Sequence, residues 1–229
     1  MKIILNTLAV ISILLIIYIV IPHICKKIIR YKFLNAIHKS KDIYLTFDDG
    51  PDPESTPLII DALKQHGFTA TFFITGTNGE KYPELVNLIK YSGNTIGMHG
   101  YNHIHPWKTG PLTTIKDIRR MKIYFHKNNP GVNLYRPPYG KYNIVSLLYY
   151  LSGYTRSVFW DIDPEDYNST DPYAAATDII KLIKPGSVIL LHDGRDNIEK
   201  QSPSVITVSI VQSIIQFAIV NNLNISGIR

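Results

Sequence analysis

Two adjacent carboxylates, Asp48 and Asp49, end the apolar run Ile43-Tyr44-Leu45-Thr46-Phe47, and Gly50-Pro51 follows them. Like charges side by side raise one another's pKa, and a nearby cation relieves the repulsion. The pair therefore reads as a metal ligand beside a general base. Taken alone it also reads as a turn, because Asp, Gly and Pro are turn residues.

Other residues along the chain offer matching chemistry. In His99-Gly100-Tyr101-Asn102-His103 the two histidines stand at i and i+4. That spacing predicts two imidazoles on one side of a helical turn. Neutral imidazole is the commonest metal ligand. Two histidines with Asp49 as third ligand leave an open position for water, the pattern of a catalytic zinc-type centre. His105 lies off that register and reads as a surface or supporting residue. Arg136-Pro137-Pro138-Tyr139-Gly140 starts with a cation on a stiff segment, since proline fixes φ and lacks a donor. Arg136 is suited to hold a carboxylate ionised through a two-pronged hydrogen bond. The Tyr139 N–H is suited to a developing oxyanion. Leu190-Leu191-His192-Asp193 closes a late apolar run. A carboxylate such as Asp166 on the neighbouring strand end would raise the His192 pKa, which suits a general acid.

The elements that must position these residues alternate. Short β-branched or aromatic runs fall at 42–47, 69–74, 95–98, 133–136, 154–160, 187–191 and 223–228. Amphipathic stretches lie between them, near 56–66, 81–91, 112–127, 142–151, 172–183 and 204–221. Strand and helix taking turns predicts parallel βαβ units. Seven strands with six intervening helices fit a barrel-like α/β fold. The candidate residues then follow strand ends: Asp48 and Asp49 the first, His99 the third, Arg136 the fourth, Asp163 and Asp166 the fifth, His192 the sixth. In parallel α/β barrels those ends gather on one face, which carries the active site.

The chain has 229 residues and a formal net charge of +6, enough for one domain with an appendage. It carries no motif that reads nucleic acid, so nucleic acid is not an expected partner. No obligate protein partner is evident. A single cysteine, Cys25, excludes an intrachain disulfide. Residues 3–21 are almost wholly apolar, and at about 1.5 Å per residue they make roughly 29 Å of helix, close to a bilayer core of about 30 Å. Ile21-Pro22-His23-Ile24 offers no A-x-A cleavage site, so the run reads as an uncleaved single-pass anchor. The expected organisation is a transmembrane anchor at 1–22, a basic linker at 23–41 and a catalytic domain at 42–229. Lys26, Lys27, Arg30 and Lys32 flank the anchor's C-terminal side, which by the positive-inside rule favours a cytoplasmic domain. The activity that these motifs imply as a set favours an extracytoplasmic one, and the two signals conflict.

Together these motifs resemble the polysaccharide deacetylase family, carbohydrate esterase family 4, over about residues 42–229. Thr46–Pro51, His99–His103, Arg136–Tyr139, Asp166-Tyr167 and Leu190–His192 match its five motifs in order, and Ser55-Thr56-Pro57 and Ala70-Thr71-Phe72-Phe73 also read as in the family. The resemblance implies a distorted (β/α) barrel of about seven strands and a divalent metal, usually Zn2+, bound by Asp49, His99 and His103. It implies Asp48 as general base oriented by Arg136, and His192 as general acid tuned by Asp166. The Tyr139 amide would serve the oxyanion, and Tyr167 and Leu190 would line the acetyl pocket. The implied activity is removal of N-acetyl groups from N-acetylglucosamine units of an acetylated glycan, peptidoglycan or chitin-like. A lipid-linked sugar, an O-acetylated polysaccharide and a non-catalytic glycan-binding role are the alternatives. Two positions depart from the family pattern. Gly100 stands where Ser or Thr is usual, and Tyr167 stands where Trp is usual.

Overall fold

The computed structural model describes residues 1–168, 171–194 and 204–229. Among these, β1 (Tyr44–Asp48), β2 (Thr71–Ile74), β3 (Thr95–Met98), β4 (Leu134–Tyr135), β5 (Arg156–Ser157) and β6 (Val188–His192) form one sheet in the order β5-β4-β3-β2-β1-β6. Every pairing is parallel. The strands are buried on both faces, which is why they read as near-continuous apolar runs. Helices α3 (Thr56–Lys64), α4 (Gly76–Lys81), α5 (Pro83–Tyr91), α6 (Pro111–Asn128), α7 (Ile144–Tyr149), α8 (Pro172–Ile180) and α9 (Ser204–Val220) connect them.

Strand alternation sorts the side chains between two cores. Leu45, Phe47, Phe72, Ile74, Ile189 and Leu191 join the large cluster under the helices, where Phe47 stacks on Phe72 at 4.9 Å. The intervening residues face the concave side. Phe73, Leu134, Val158, Val188 and Ile228 form a second, smaller cluster there. The same period sends Thr46 and Asp48 of β1, with Leu190 and His192 of β6, toward that concavity. Asp48 pairs directly with His192 in the β1–β6 register. Two residues 144 positions apart in the chain are thus set side by side by strand pairing alone.

The sheet is six-stranded rather than seven-stranded among the described residues. Residues 223–228 were expected as a strand, yet they contribute one isolated bridge, Ile43 to Ile225. The cause is where they run. Ile43 N donates to Asn224 O and Thr69 N donates to Ile225 O, so the segment crosses the starts of β1 and β2 instead of extending an edge. On the other side Ile162, beyond β5, makes one isolated bridge to Ile189 of β6. The fold is therefore a distorted parallel half-barrel covered by helices.

Helix boundaries follow local chemistry. The helix expected near 81–91 is α5, and the separate α4 before it ends at Tyr82 (φ −130°, ψ 61°). Pro83 excludes the α conformation from the residue before it, and serves as the first residue of α5. Asn143 and Ser146 form a capping box that starts α7, and the Asp171 carboxylate caps α8.

At the N-terminal side, α1 (Lys2–Leu15), a π turn (Ile16–Val20) and α2 (Ile21–Ile37) make one continuous helix of 36 residues. The basic stretch from residue 23 is thus helical as far as Ile37. Cys25, Ile29, Phe33 and Ile37, at i+4 intervals, form a stripe that packs on the two cores. Lys27, Arg30 and Lys32 are exposed, and Arg30 reaches the Trp160 carbonyl at 2.9 Å.

Candidate active site

The C-terminal ends of the strands open into a cavity of about 430 Å³. Asp48, Asp49, His99, His103, Tyr139, Tyr167, Leu190 and His192 all line it. Arg136 and Asp166 lie behind this lining, buried and bonded to two of its members. The structure therefore brings together every candidate site residue read from the sequence. Asp163 also lines the cavity.

Asp49 Oδ1 lies 3.3 Å from His99 Nε2 and 3.1 Å from His103 Nε2, and ligand atoms of the three residues all fall within 4.8 Å of one another. His99 Nδ1 is 2.8 Å from the Arg136 carbonyl, which can only accept, so Nδ1 carries the hydrogen. A neutral His99 therefore turns a lone pair on Nε2 toward the carboxylate. Asp49 Oδ1 is buried and has no hydrogen-bond partner. An orphaned carboxylate oxygen facing imidazole nitrogens is a donor set that a divalent cation would complete. Burial works against the Asp49 charge, but the neighbouring imidazoles of His99, His103 and His192 outweigh it and hold its pKa well below the usual carboxylate range. The side chain is thus ready as an anionic ligand.

The backbone at Asp49 is left-handed, φ 72°, a region that Asp tolerates better than most residues. Three contacts hold it there. Asn78 Nδ2 donates to Asp49 O at 2.7 Å. Asp193 N donates to Asp48 O at 3.2 Å. Gly50 lies so close to Asp193 that a Cβ there would sit 2.3 Å from its carboxylate oxygens, so only glycine fits. Asp193 is itself fully buried, and burial together with the Asp49 and Asp48 charges pushes it up to about 7 despite the hydrogen bond from Thr56.

Asp48 has a different set of partners. Arg136 Nη1 donates to Asp48 Oδ1 at 2.8 Å and to Thr46 Oγ1 at 2.9 Å. The guanidinium is fully buried and lies over the Phe73 ring at 4.3 Å. One carboxylate oxygen is thereby committed to Arg136. The other, Oδ2, lies 3.6 Å from His99 Nε2 on the cavity side.

Across the cavity, His192 Nδ1 is 2.8 Å from Asp166 Oδ1. The His192 backbone N–H and the Thr207 hydroxyl both donate to Asp166 Oδ2, at 2.9 and 2.8 Å. Burial disfavours the imidazolium, yet Asp166, by charge and hydrogen bond, with Asp49 and Asp48 behind it, pushes the His192 pKa up to about 10. Tyr167 sets its ring edge-on to the His192 ring at 5.2 Å. Tyr139, with φ 57° in a short 3-10 turn, lies 4.6 Å from the His103 ring and 4.6 Å from the His105 ring. His105 is thus a neighbour of the site through Tyr139.

The histidines are not on a helical turn. His99 directly follows β3, and the chain bends away with φ 80° at Gly100 and φ 52° at His103. Gly100 provides the left-handed conformation that this bend requires. The loop is held from α6. The Asp117 carboxylate accepts from the backbone N–H of Tyr101 at 3.0 Å and of Asn102 at 2.9 Å, and from Asn102 Nδ2 at 2.8 Å. Asp117 is buried on the stripe Thr114, Asp117, Met121, Tyr124, the core face of α6. A carboxylate on a core stripe is a sequence signal that it serves neighbouring donors. No sequence motif marks Asp117 or Asn78, nor Trp160 and Lys141, which also line the cavity.

This bracing has a measurable consequence. Asp117→Asn replaces one of the two acceptor oxygens by an NH2 donor facing the Tyr101 or the Asn102 backbone N–H. It should weaken divalent-metal binding at the Asp49–His99–His103 cluster by about 10–100-fold, the usual cost of a lost outer partner. Isothermal titration of the full chain would check it, with Asn128→Asp on the same helix as the silent control.

Comparison with known proteins accords with this geometry. The chain is 35% identical over 169 residues to a peptidoglycan-N-acetylglucosamine deacetylase of Bacillus cereus, an alignment covering 71% of this chain and 59% of that relative. It is 33% identical over 154 residues to a chitooligosaccharide deacetylase of Azorhizobium caulinodans, covering 66% of this chain and 73% of the relative. The peptidoglycan deacetylase PdaC from Bacillus subtilis superposes with a TM-score of 0.71 at 27% identity, over 83% of this chain and 89% of that one. The family model described as polysaccharide deacetylase matches residues 35–152. On these grounds the chain belongs to the polysaccharide deacetylase family.

Proposed function

We propose that this protein is a metal-dependent hydrolase that removes N-acetyl groups from N-acetylglucosamine units of a cell-wall or chitin-like glycan. The observation that carries the reading is one cavity in which an Asp–His–His cluster lies between an arginine-held carboxylate and a carboxylate-held histidine. Asp49, His99 and His103 would hold the metal, which we propose to be Zn2+. Residues 1–22 would anchor the chain in a membrane, and residues 42–229 would form the catalytic domain. An acetylated wall glycan as substrate requires that domain on the extracytoplasmic side.

When bound, the cation supplies a polarised acetyl carbonyl and a water acidified toward neutral pH. The protein's own groups move the protons. Asp48 Oδ2 takes the proton of the attacking water, while Arg136 keeps Oδ1 occupied and the carboxylate oriented. The Tyr139 amide faces the developing oxyanion. His192, protonated because Asp166 holds it so, donates to the departing sugar nitrogen. That step is required because an unprotonated amine is a very poor leaving group. Tyr167 and Leu190 enclose the acetyl methyl, and water is excluded there by their apolar surface.

Two outcomes follow. The full chain in detergent should release acetate from an acetylated chitooligosaccharide, lose that activity on exhaustive chelation and regain it with zinc. Turnover that survives complete metal removal contradicts the reading. The second concerns pH. His192 must be protonated to act, so activity is lost as pH rises through its folded-state pKa. Asp166→Asn removes the charge that raises that pKa, so the basic limb of the kcat/KM profile should move to lower pH. An unmoved basic limb in an active Asp166→Asn protein would take the acid role away from His192.

A further inference from the structure

We infer that the catalytic domain is seated directly on the bilayer that its N-terminal helix enters, with the start of α6 and the outer face of α7 resting in an anionic headgroup layer. The inference rests on the anchoring proposed above and extends it from a tether to a surface.

The helix leaves no slack between membrane and domain. The apolar run 3–21 needs its whole length, roughly 29 Å, to cross a core of about 30 Å. Contacts with the domain begin before that run ends. The Tyr18 hydroxyl donates to Thr109 O at 2.8 Å and accepts from Asn143 Nδ2 at 2.9 Å. Pro22 is buried. Farther along, Arg30 Nη2 donates to Trp160 O at 2.9 Å, and His38 Nε2 lies 3.1 Å from Asp161 Oδ2. The helix is therefore fixed to the domain from Tyr18 onward. For the apolar run to lie fully in hydrocarbon, Thr109 and Asn143 must stand at the membrane–water boundary.

The surface around that point has the composition such a boundary needs. Thr114, whose Oγ1 is 3.5 Å from the Tyr18 hydroxyl, lies between Leu112 and Ile115 on the first turn of α6. Leu112 and Ile115 are both exposed. Asn143 begins α7, and α7 packs beside the Ile16–Val20 segment. Leu148 and Leu151 are exposed on that stretch. Each leucine or isoleucine pair is spaced i, i+3, so each presents one apolar ridge. Lys108 and Lys116 are exposed in the same region and match an anionic headgroup layer. Exposed apolar ridges beside a helix proposed to enter the membrane, with Lys108 and Lys116 flanking the α6 ridge in sequence, fit a lipid surface, and no soluble partner is needed to cover them. Seating also fixes the height of the cavity. Four ring contacts of 4.6 to 6.2 Å connect His23 of the helix through Trp107, His105 and Tyr139 to His103 in the site.

The test places one fluorescent label at a time on the full chain in a Cys25→Ser background. Labels go on Leu8→Cys, Leu112→Cys, Leu148→Cys and Leu58→Cys, all exposed positions, the last on α3 packed against α9. The protein is reconstituted in phosphatidylcholine–phosphatidylglycerol vesicles carrying brominated acyl chains. Seating predicts fluorescence loss at 8, 112 and 148 and none at 58. Loss at 8 alone leaves the anchor intact and overturns the seating. Equal loss at 58 overturns it too, by showing contact without a preferred face. No loss at 8 removes the anchor and the seating with it. None of these outcomes depends on catalysis.

Discussion

The buried pair between Arg136 and Asp48 is the interaction on which the rest of the site depends. A charged carboxylate on the concave side of a parallel sheet, next to a second one, is costly to bury without an opposite charge beside it. Arg136, fully buried and bonded to both Asp48 and Thr46, supplies the compensating charge from inside the barrel. It also decides which oxygen of Asp48 is available. Because Oδ1 is taken, Oδ2 alone faces the cavity. The two adjacent acids then have separate partners, a guanidinium for Asp48 and two imidazoles for Asp49. A buried pair of this kind is a weak source of net stability, since desolvation offsets much of the attraction. Its value lies in fixing one orientation of the carboxylate.

The second constraint is parallel strand pairing. Register alone sets Asp48 opposite His192, and period-two alternation turns both to the concave face. The loops after β1 and β3 then need bends that helices and strands cannot supply, and left-handed residues at Asp49, Gly100 and His103 make them. Such conformations persist only where surroundings hold them. Asn78, Asp193 and Asp117 do so here, each from a different element. Gly100, which departs from the family pattern, is accounted for by φ 80° and by bracing of the loop from α6 rather than by a side-chain hydroxyl of its own.

Much of this was legible in the amino-acid order. Asp48, Asp49, His99, His103, Arg136, Tyr139, Asp166, Tyr167, Leu190 and His192 occur in short local runs at strand ends, and all meet at one cavity. Spacing was misleading where backbone conformation was decisive. The i, i+4 histidines lie on a bent loop, because Gly100 leaves the α region. The apolar run 223–228 crosses two strand starts instead of joining the sheet, which only tertiary pairing determines. The stretch after residue 23 looked like a basic linker because its charges outnumber its stripe. The i+4 repeat of Cys25, Ile29, Phe33 and Ile37 was present beneath them. Asp117 and Asn78 act across long sequence distances on backbone groups, and no motif marks such partners.

The division of labour between the two acids is the central claim, and metal affinity measured beside turnover tests it most directly. Zinc titration and acetate release would be followed in the full chain for Asp48→Asn and Asp49→Asn. The account predicts that Asp49→Asn loses tight zinc binding and activity together, while Asp48→Asn keeps zinc binding and loses turnover. Zinc binding lost in Asp48→Asn, or retained unchanged in Asp49→Asn, would contradict it.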